Sequence, residues 1–297
     1  MDFKSGFVAI LGKPNAGKST LINALVGEKV SIVSPKPQTT RNNIIGILNK
    51  PNLQIIFTDT PGIHQGNNKL DDYMEKSINQ AKQGVDAVLL CVDGSKRIGE
   101  REINFITSFK GTKNLFLIIT KTDLTNFEKL YPTLDKLNKL DFLKDIIPVS
   151  SVKDRNIDVL IKELEKCLTS NVKFFDDDVY TDKSVRFMIS EIIREKTLWL
   201  LQDEIPHGLA VEIDSYKEDD KKVIIDATII CEKSSHKQII IGSNGSKIKE
   251  IGTKARLDIE NLVDRKVFLS IFVKVKEGWK DKSNYVADLG YNIKDLD

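Results

Sequence analysis

Residues 12–19 read Gly-Lys-Pro-Asn-Ala-Gly-Lys-Ser, and this stretch decides the fold. It follows the apolar run Phe7–Leu11, a buried-strand pattern, and opens the helical pattern Ser19–Leu25. A strand, a glycine-rich turn, a lysine, a hydroxyl and a helix in that order make a loop that cradles phosphates. Its glycines let backbone N–H groups turn inward. Lys18 supplies a point charge to β- and γ-phosphates, and the Ser19 hydroxyl suits a Mg²⁺ ion. The helix N-terminus adds its positive dipole end. The candidate contacts are Gly12, Lys13, Pro14, Asn15, Ala16, Gly17, Lys18, Ser19 and Thr20.

Outward from the loop, short apolar runs alternate with helical patterns. Strands are expected at Gln54–Thr58, Val85–Val92, Leu115–Thr120 and Asp145–Val149, with helices at Glu100–Phe109 and 154–168. Doubly buried strands alternating with helices predict an α/β domain with a mostly parallel sheet covered on both faces. Ligands bind such sheets at the C-terminal strand edge, and three more motifs fall there. Asp59, Thr60, Pro61, Gly62 and Ile63 end one strand. Asp59 would hold Mg²⁺ through water, and the Gly62 N–H would meet the γ-phosphate. Thr120, Lys121, Thr122 and Asp123 end another. A carboxylate here accepts two hydrogen bonds from N1–H and the exocyclic amine of guanine. Adenine lacks that donor pair, so Asp123 selects GTP and argues against an ATPase. Ser150, Ser151 and Val152 end the last strand and would back the base. The polar stretch Lys36–Asn43 is positioned to order around γ-phosphate and Mg²⁺ and to relax afterwards. Thr40 is the choice for its metal-ligating hydroxyl, with Thr39 the rival. Ser19, Thr40 and Asp59 form the expected metal set; Lys18, Thr40 and Gly62 form the catalytic set. Ile63–Leu70 is the second expected mobile segment.

The chain of 297 residues has room for two domains, and its net charge of +2 gives no global field to draw in nucleic acid. Cys91, Cys167 and Cys231 are far apart, and His64, His207 and His236 have no metal-site spacing. Met1 to Phe7 does not read as a signal peptide, and the longest apolar runs are strand-sized. A cytoplasmic location is expected, with peripheral membrane contact left open.

Near residue 170 the rhythm changes. Residues 1–170 read as the nucleotide domain, 171–184 as a linker containing Asp176-Asp177-Asp178, and 185–297 as a second domain. The second domain's expected order is helix Val185–Leu201, strands Leu209–Tyr216 and Val223–Glu232, helices 235–241 and 246–263, and strand Lys266–Lys276. This α-β-β-α-α-β unit is a small α+β domain. Between Lys233 and Arg256 lie six basic residues and one acidic residue, a focal basic patch.

Together these motifs resemble the Era family of GTPases, within the group that also holds the TrmE and EngA types. The carrying residues are 12–19, Pro37-Gln-Thr-Thr-Arg41, Asp59–Ile63 and His236–Lys249, the last resembling a type II KH core. The resemblance spans essentially the whole chain. It implies a GTPase that binds the 3′ end of small-subunit ribosomal RNA and assists small-subunit assembly, with peripheral association at the inner face of the membrane; DNA is not an expected partner. Type II KH domains clamp about four nucleotides with a Gly-x-x-Gly loop. The implied RNA contacts are Lys237, Ile241, Gly242, Ser243, Asn244, Gly245, Lys247 and Lys249, with Ile239, Ile240 and Ile241 as groove floor and core. Thr120 departs from the family's usual Asn, and Ser-Ser-Val from its Ser-Ala. Ile63 stands where Ras-like enzymes orient water with Gln, so slow intrinsic hydrolysis is expected. The resemblance to TrmE-type enzymes makes Asn15 a candidate ligand for an activating K⁺. The rival reading is an RNA-binding module whose nucleotide domain is a non-hydrolysing scaffold.

Overall fold

The apolar run at the start of the chain behaves as a doubly buried strand must. The computed structural model describes residues 3–64, 66, 68–201 and 208–296. In it, β1 (Lys4–Gly12) buries Val8, Ala9, Ile10 and Leu11 completely. Val8 and Ile10 join one hydrophobic cluster and Ala9 and Leu11 another, one on each sheet face. Burying a side chain of this size contributes roughly 1.5–3 kcal/mol, so β1 anchors both layers.

The first sheet continues with β2 (Ile44–Lys50), β3 (Leu53–Asp59), β4 (Ala87–Asp93), β5 (Leu115–Thr120) and β6 (Asp145–Pro148), in the order β2-β3-β1-β4-β5-β6. All pairs are parallel except β2 with β3. Its helices are α1 (Lys18–Val26), α2 (Lys69–Ala81), α3 (Glu100–Thr107), α4 (Phe127–Leu137) and α5 (Ile157–Glu165). Three of these elements, β2, α2 and α4, were not expected from sequence. Gln65 and Asn67 of the expected mobile segment, and His207, lie outside the described residues. The parallel strands end in line, so the loops after β1, β3, β5 and β6 gather at one edge.

The second sheet has the order β7-β8-β9, formed by β7 (Ala210–Glu218), β8 (Lys222–Cys231) and β9 (Lys266–Val275). β7 and β8 are antiparallel, while β8 and β9 are parallel. Helices α6 (Val185–Leu200), α7 (Ser234–Ile241) and α8 (Ser246–Val263) accompany it, and a short α9 (Ser283–Asp288) follows. Ile189, Ile193, Ile225, Ala227, Ile229, Ile240, Ile251 and Ile259 are its fully buried centre. The α-β-β-α-α-β order is the expected one.

The compact units are not contiguous in sequence. One comprises Met1–Ser31, Thr40–His64 and Glu75–Asp182; the other comprises Ile32–Thr39, Gln65–Met74 and Lys183–Asp297. The sequence reading expected a linker at residues 171–184, and most of that segment falls within the first unit. The Asn49 amide donates to the carbonyls of Asp177 and Val179, and Gln54 donates to that of Phe175. The Ile47 N–H donates to the Tyr180 carbonyl. Side chains and main chain of β2 and β3 thus fasten most of that segment to the first unit.

Candidate functional site

At the edge where the strands of the first sheet end, the loop between β1 and α1 wraps Lys18. Lys18 is only 6% exposed, and its ammonium donates to the carbonyls of Gly12 and Lys13, each at 3.2 Å. Ser19, the next residue, donates to Asp59 Oδ2 at 2.7 Å and lies 2.8 Å from the Thr40 hydroxyl. Thr40 itself reaches Asp59 Oδ2 at 3.3 Å. All three members of the expected metal set therefore meet. Thr39, the rival, is occupied elsewhere: its hydroxyl donates to the Lys36 carbonyl at 2.6 Å and lies 2.7 Å from the Ser34 hydroxyl. The sequence reading missed Ser31, whose hydroxyl donates to Asp59 Oδ2 at 2.8 Å.

Burial pushes the Lys18 ammonium down and the Asp59 carboxyl up, and their mutual attraction opposes both shifts. Asp59 Oδ1 is buried with no partner among the described residues. A buried polar atom left unpaired costs free energy. A hard divalent cation with oxygen ligands would satisfy it, so these residues fit Mg²⁺. Among the described residues no cluster of three His, Cys, Asp or Glu side chains competes as a metal site.

Gly62 shows why no side chain is tolerated after Pro61. A Cβ there would lie 2.7 Å from Pro14 Cα, inside the phosphate loop. Ile63 donates its N–H to the Gly12 carbonyl at 3.0 Å and packs its side chain against the cluster beneath β1 and β4. Thr60 donates to the Ile10 carbonyl at 2.8 Å, and Pro61 is buried. Asn15 stands at the exposed tip of the loop with φ 62°.

The base-reading motif is tied to the loop from the other side. The Thr120 hydroxyl lies 2.7 Å from the Ala16 carbonyl and 3.1 Å from that of Val92, and it donates to these acceptors. Thr120 thus braces the phosphate loop despite being shorter than Asn. Lys121, at φ 56°, donates to the Asn15 carbonyl at 2.7 Å and to Asp93 at 2.8 Å. Burial works against the Asp93 carboxylate, yet hydrogen bonds from Lys121 and Ser95 hold it below its ordinary value. Asp93 escaped the sequence reading, although it ends a strand as Asp59 does. Asp123 is half-buried, and its Oδ1 accepts from Ser150 at 2.6 Å. Thr122 is buried, Ser151 is half-buried and Val152 is exposed.

In the second unit, residues 242–245 form the expected Gly-x-x-Gly turn between α7 and α8. Gly242 (φ 72°), Asn244 (φ 51°) and Gly245 (φ 75°) all adopt left-handed backbone. At Gly242 a Cβ would also lie 2.9 Å from the Lys247 nitrogen. Only glycine enters such conformations freely. Ser243 and Asn244 are exposed; Ile241, Lys237 and Lys247 are half-buried. Ile240 is fully buried in the core, as expected. A cleft of about 320 Å³ runs along α8 and β9, lined by Ile248, Lys249, Gly252, Thr253, Arg256, Leu269 and Ile271. Of the expected RNA contacts, only Lys249 lines it. Its apolar lining is Ile248, Leu269 and Ile271. The signal was present in sequence: Lys249, Gly252, Thr253 and Arg256 share one helix face, and Leu269 and Ile271 share one strand face.

Known proteins share both halves of this arrangement. Residues 7–121 match the family model described as 50S ribosome-binding GTPase, and residues 204–280 match the KH domain model. GTPase Era of Clostridioides difficile (strain 630) is 46% identical, over 98% of this chain and all of that one. GTPase Era of Ruminiclostridium cellulolyticum is 44% identical over 98% of each. A crystal structure of Era with MgGDPNP and nucleotides 1506–1542 of 16S ribosomal RNA is 37% identical. It superposes with a TM-score of 0.93 over 98% of this chain and 99% of that one. An Aquifex aeolicus Era variant bound to GDP.AlF4⁻ also gives a TM-score of 0.93 at 37% identity, covering 98% of this chain and all of that one. With relatives this similar over nearly the whole length, and with both domain models matched, the chain belongs to the Era family of GTPases.

Proposed function

We propose that this GTPase binds Mg²⁺ and GTP in the first unit and holds the 3′ end of small-subunit ribosomal RNA in the second, timing a step in assembly of the small ribosomal subunit. The observation that carries the reading is the convergence of the Ser19 and Thr40 hydroxyls on Asp59 beside buried Lys18. Lys18 would stabilise charge on the β- and γ-phosphates, and the loop amides would orient them. Ser19 and Thr40 would hold Mg²⁺ directly and Asp59 through water. Bound there, Mg²⁺ would neutralise the charge that develops on the phosphates. Asp123 would read guanine, held in place by Ser150. Ile63 has no group to orient water, so turnover by the chain alone should be slow. Asn15, at the loop tip, is the residue through which K⁺ would supply extra positive charge. Equal turnover in K⁺ and Na⁺ at matched ionic strength would remove that role.

The RNA assignment is supported by the relative crystallised with a 16S ribosomal RNA segment and by the cleft along α8 and β9. The cleft suits unpaired bases, with Lys249 and Arg256 toward phosphates and the apolar floor under bases. Among the described residues no helix is long and apolar enough to cross a membrane. We place the protein in the cytoplasm, with peripheral contact at the inner membrane face carried over from the family; flotation with anionic vesicles tests the latter. The decisive experiment titrates GTP, GDP and ATP, then measures turnover with and without the RNA 3′ end. Tight GTP binding without turnover in either condition would favour the non-hydrolysing RNA module.

A further inference from the structure

Helix α6 carries a dense set of buried charges that no catalytic step above uses. Glu191, Arg194 and Glu195 are all nearly inaccessible. Glu195 Oε1 accepts the Val33 N–H at 2.9 Å. The Trp199 indole donates to the Val33 carbonyl at 2.8 Å. Arg194, paired with Glu191, donates to the Thr39 carbonyl. Residues 32–39 and α6 belong to the same compact unit. Both ends of the segment are therefore held by backbone atoms. Between them, the Thr39 hydroxyl closes the loop onto Ser34 and Lys36. Gln38 adds a bond to Asp71 at 2.8 Å, which ties in the start of α2.

We propose that α6 is a clamp on segment 32–39, with Arg194 as a positioning residue for the Thr40 hydroxyl. The proposal rests on the metal-site reading above and deepens it. Consecutive Cα atoms are about 3.8 Å apart, so pinning the Thr39 carbonyl fixes where Thr40 begins. Thr40 reaches Ser19 and Asp59 while the clamp is closed. A nucleotide that recruits Thr40 through Mg²⁺ favours the closed clamp; one that does not recruit it leaves the clamp free to open. Lys196, next to Glu195, forms an ion pair with Asp258 of α8 at 2.5 Å. α8 also carries the cleft residues Lys249 and Arg256. The clamp therefore sits one residue from an ion pair to α8, the helix that supplies one wall of the cleft. Coupling of this kind is reciprocal: whatever tightens one site through the clamp tightens the other by the same factor.

The test uses the full chain and two variants. Trp199→Phe removes one hydrogen bond at a side chain that is 44% exposed, so folding is not at risk. Glu191→Gln with Arg194→Gln removes both charges of the buried pair, leaving no lone charge behind. We expect the Mg²⁺ concentration for half-maximal turnover to rise about tenfold in the double variant, within the usual range of coupling energies, and about threefold in Trp199→Phe, which loses a single hydrogen bond. Affinity for a non-hydrolysable GTP analogue should fall in parallel, while GDP affinity stays within about twofold. In the wild type, acrylamide should quench less with the GTP analogue than with GDP. Trp199 reports this change, because Trp279 is fully buried. Equal losses of GDP and GTP-analogue affinity would reduce α6 to a structural support and overturn the clamp. Unchanged Mg²⁺ dependence in both variants, with wild-type turnover intact, would overturn it too. Absence of wild-type turnover, with analogue binding and quenching as expected, would count against the hydrolytic reading and leave the clamp standing.

Discussion

Two glycine loops in this molecule introduce a helix, and both are proposed above to meet phosphates, yet they are built differently. The loop at 12–19 is braced from several strands: Thr120 and Lys121 from β5 and its exit, Ile63 after β3, and Cys91 of β4 beneath Gly12. Burial pushes the Cys91 thiol up to about 12, so it remains neutral beside Lys18. The loop at 242–245 leans on its own neighbourhood, with Gly242 donating to Gln238 and accepting from Gly245. Ser243 and Asn244 remain exposed. The first loop is a product of the whole sheet and suits one ligand of fixed shape. The second is a local turn on a groove and suits a flexible strand.

That contrast can be broken at four points. Lys18→Ala should have the largest effect. It removes the buried ammonium of the loop, and single-turnover GTP hydrolysis should fall by about 10²–10³-fold. RNA affinity measured without nucleotide should stay within about twofold. Gly242→Asp with Gly245→Asp should do the reverse. Left-handed backbone and close approach are both spoiled, and two charges repel phosphates, so RNA affinity should drop at least about a hundredfold. GTP binding, followed by calorimetry, should not change. Asp123→Asn replaces an acceptor with a donor toward the base. Guanine nucleotide affinity should fall by about 1.5–3 kcal/mol, the worth of a charged hydrogen bond, and a competition assay with xanthosine nucleotides should show a reversed preference.

The smallest expected effect sharpens the comparison most. Gly252 sits in the interior of α8, where glycine costs about 0.8–1.0 kcal/mol relative to alanine. An added Cβ would lie 3.6 Å from Ile271, an ordinary contact. Gly252→Ala should therefore stabilise the second unit by about 0.5–1 kcal/mol in urea melts. The methyl narrows the cleft, so RNA affinity should fall a few-fold. Higher stability together with unchanged RNA affinity would move the binding surface away from this cleft.

The glycine loop at 12–19 and the Gly-x-x-Gly turn were legible in sequence because each is a run of neighbouring residues with demanding backbone chemistry. Of the two adjacent threonines, it is Thr40 whose hydroxyl meets Ser19 and Asp59, while Thr39 bonds to Ser34 and Lys36. What escaped was assembled from separate segments. Ser31 reaches Asp59 from a stretch with no motif of its own. Strand β2 was hidden because it is the antiparallel edge of a parallel sheet, and the polar stretch before it read as part of a longer loop. In α4, Pro132 breaks the helical signal. The cleft floor combines a helix face and a strand face about twenty residues apart. The split of the chain into interleaved units was not legible either, because it depends on carbonyls of residues 175–180 meeting Asn49, Gln54 and Ile47, and on Val33 and Thr39 meeting α6.

β9 is the last strand of its sheet, and the cleft runs along it. Its outer row of N–H and C=O groups has no strand partner among the described residues. A nucleobase edge presents donors and acceptors at a similar spacing. Were bases to meet that row, the reading would rest on main-chain atoms, and side-chain changes along β9 would alter grip without rewriting the message. The same open row is an invitation to another strand, and bound RNA would act as its chaperone against such pairing.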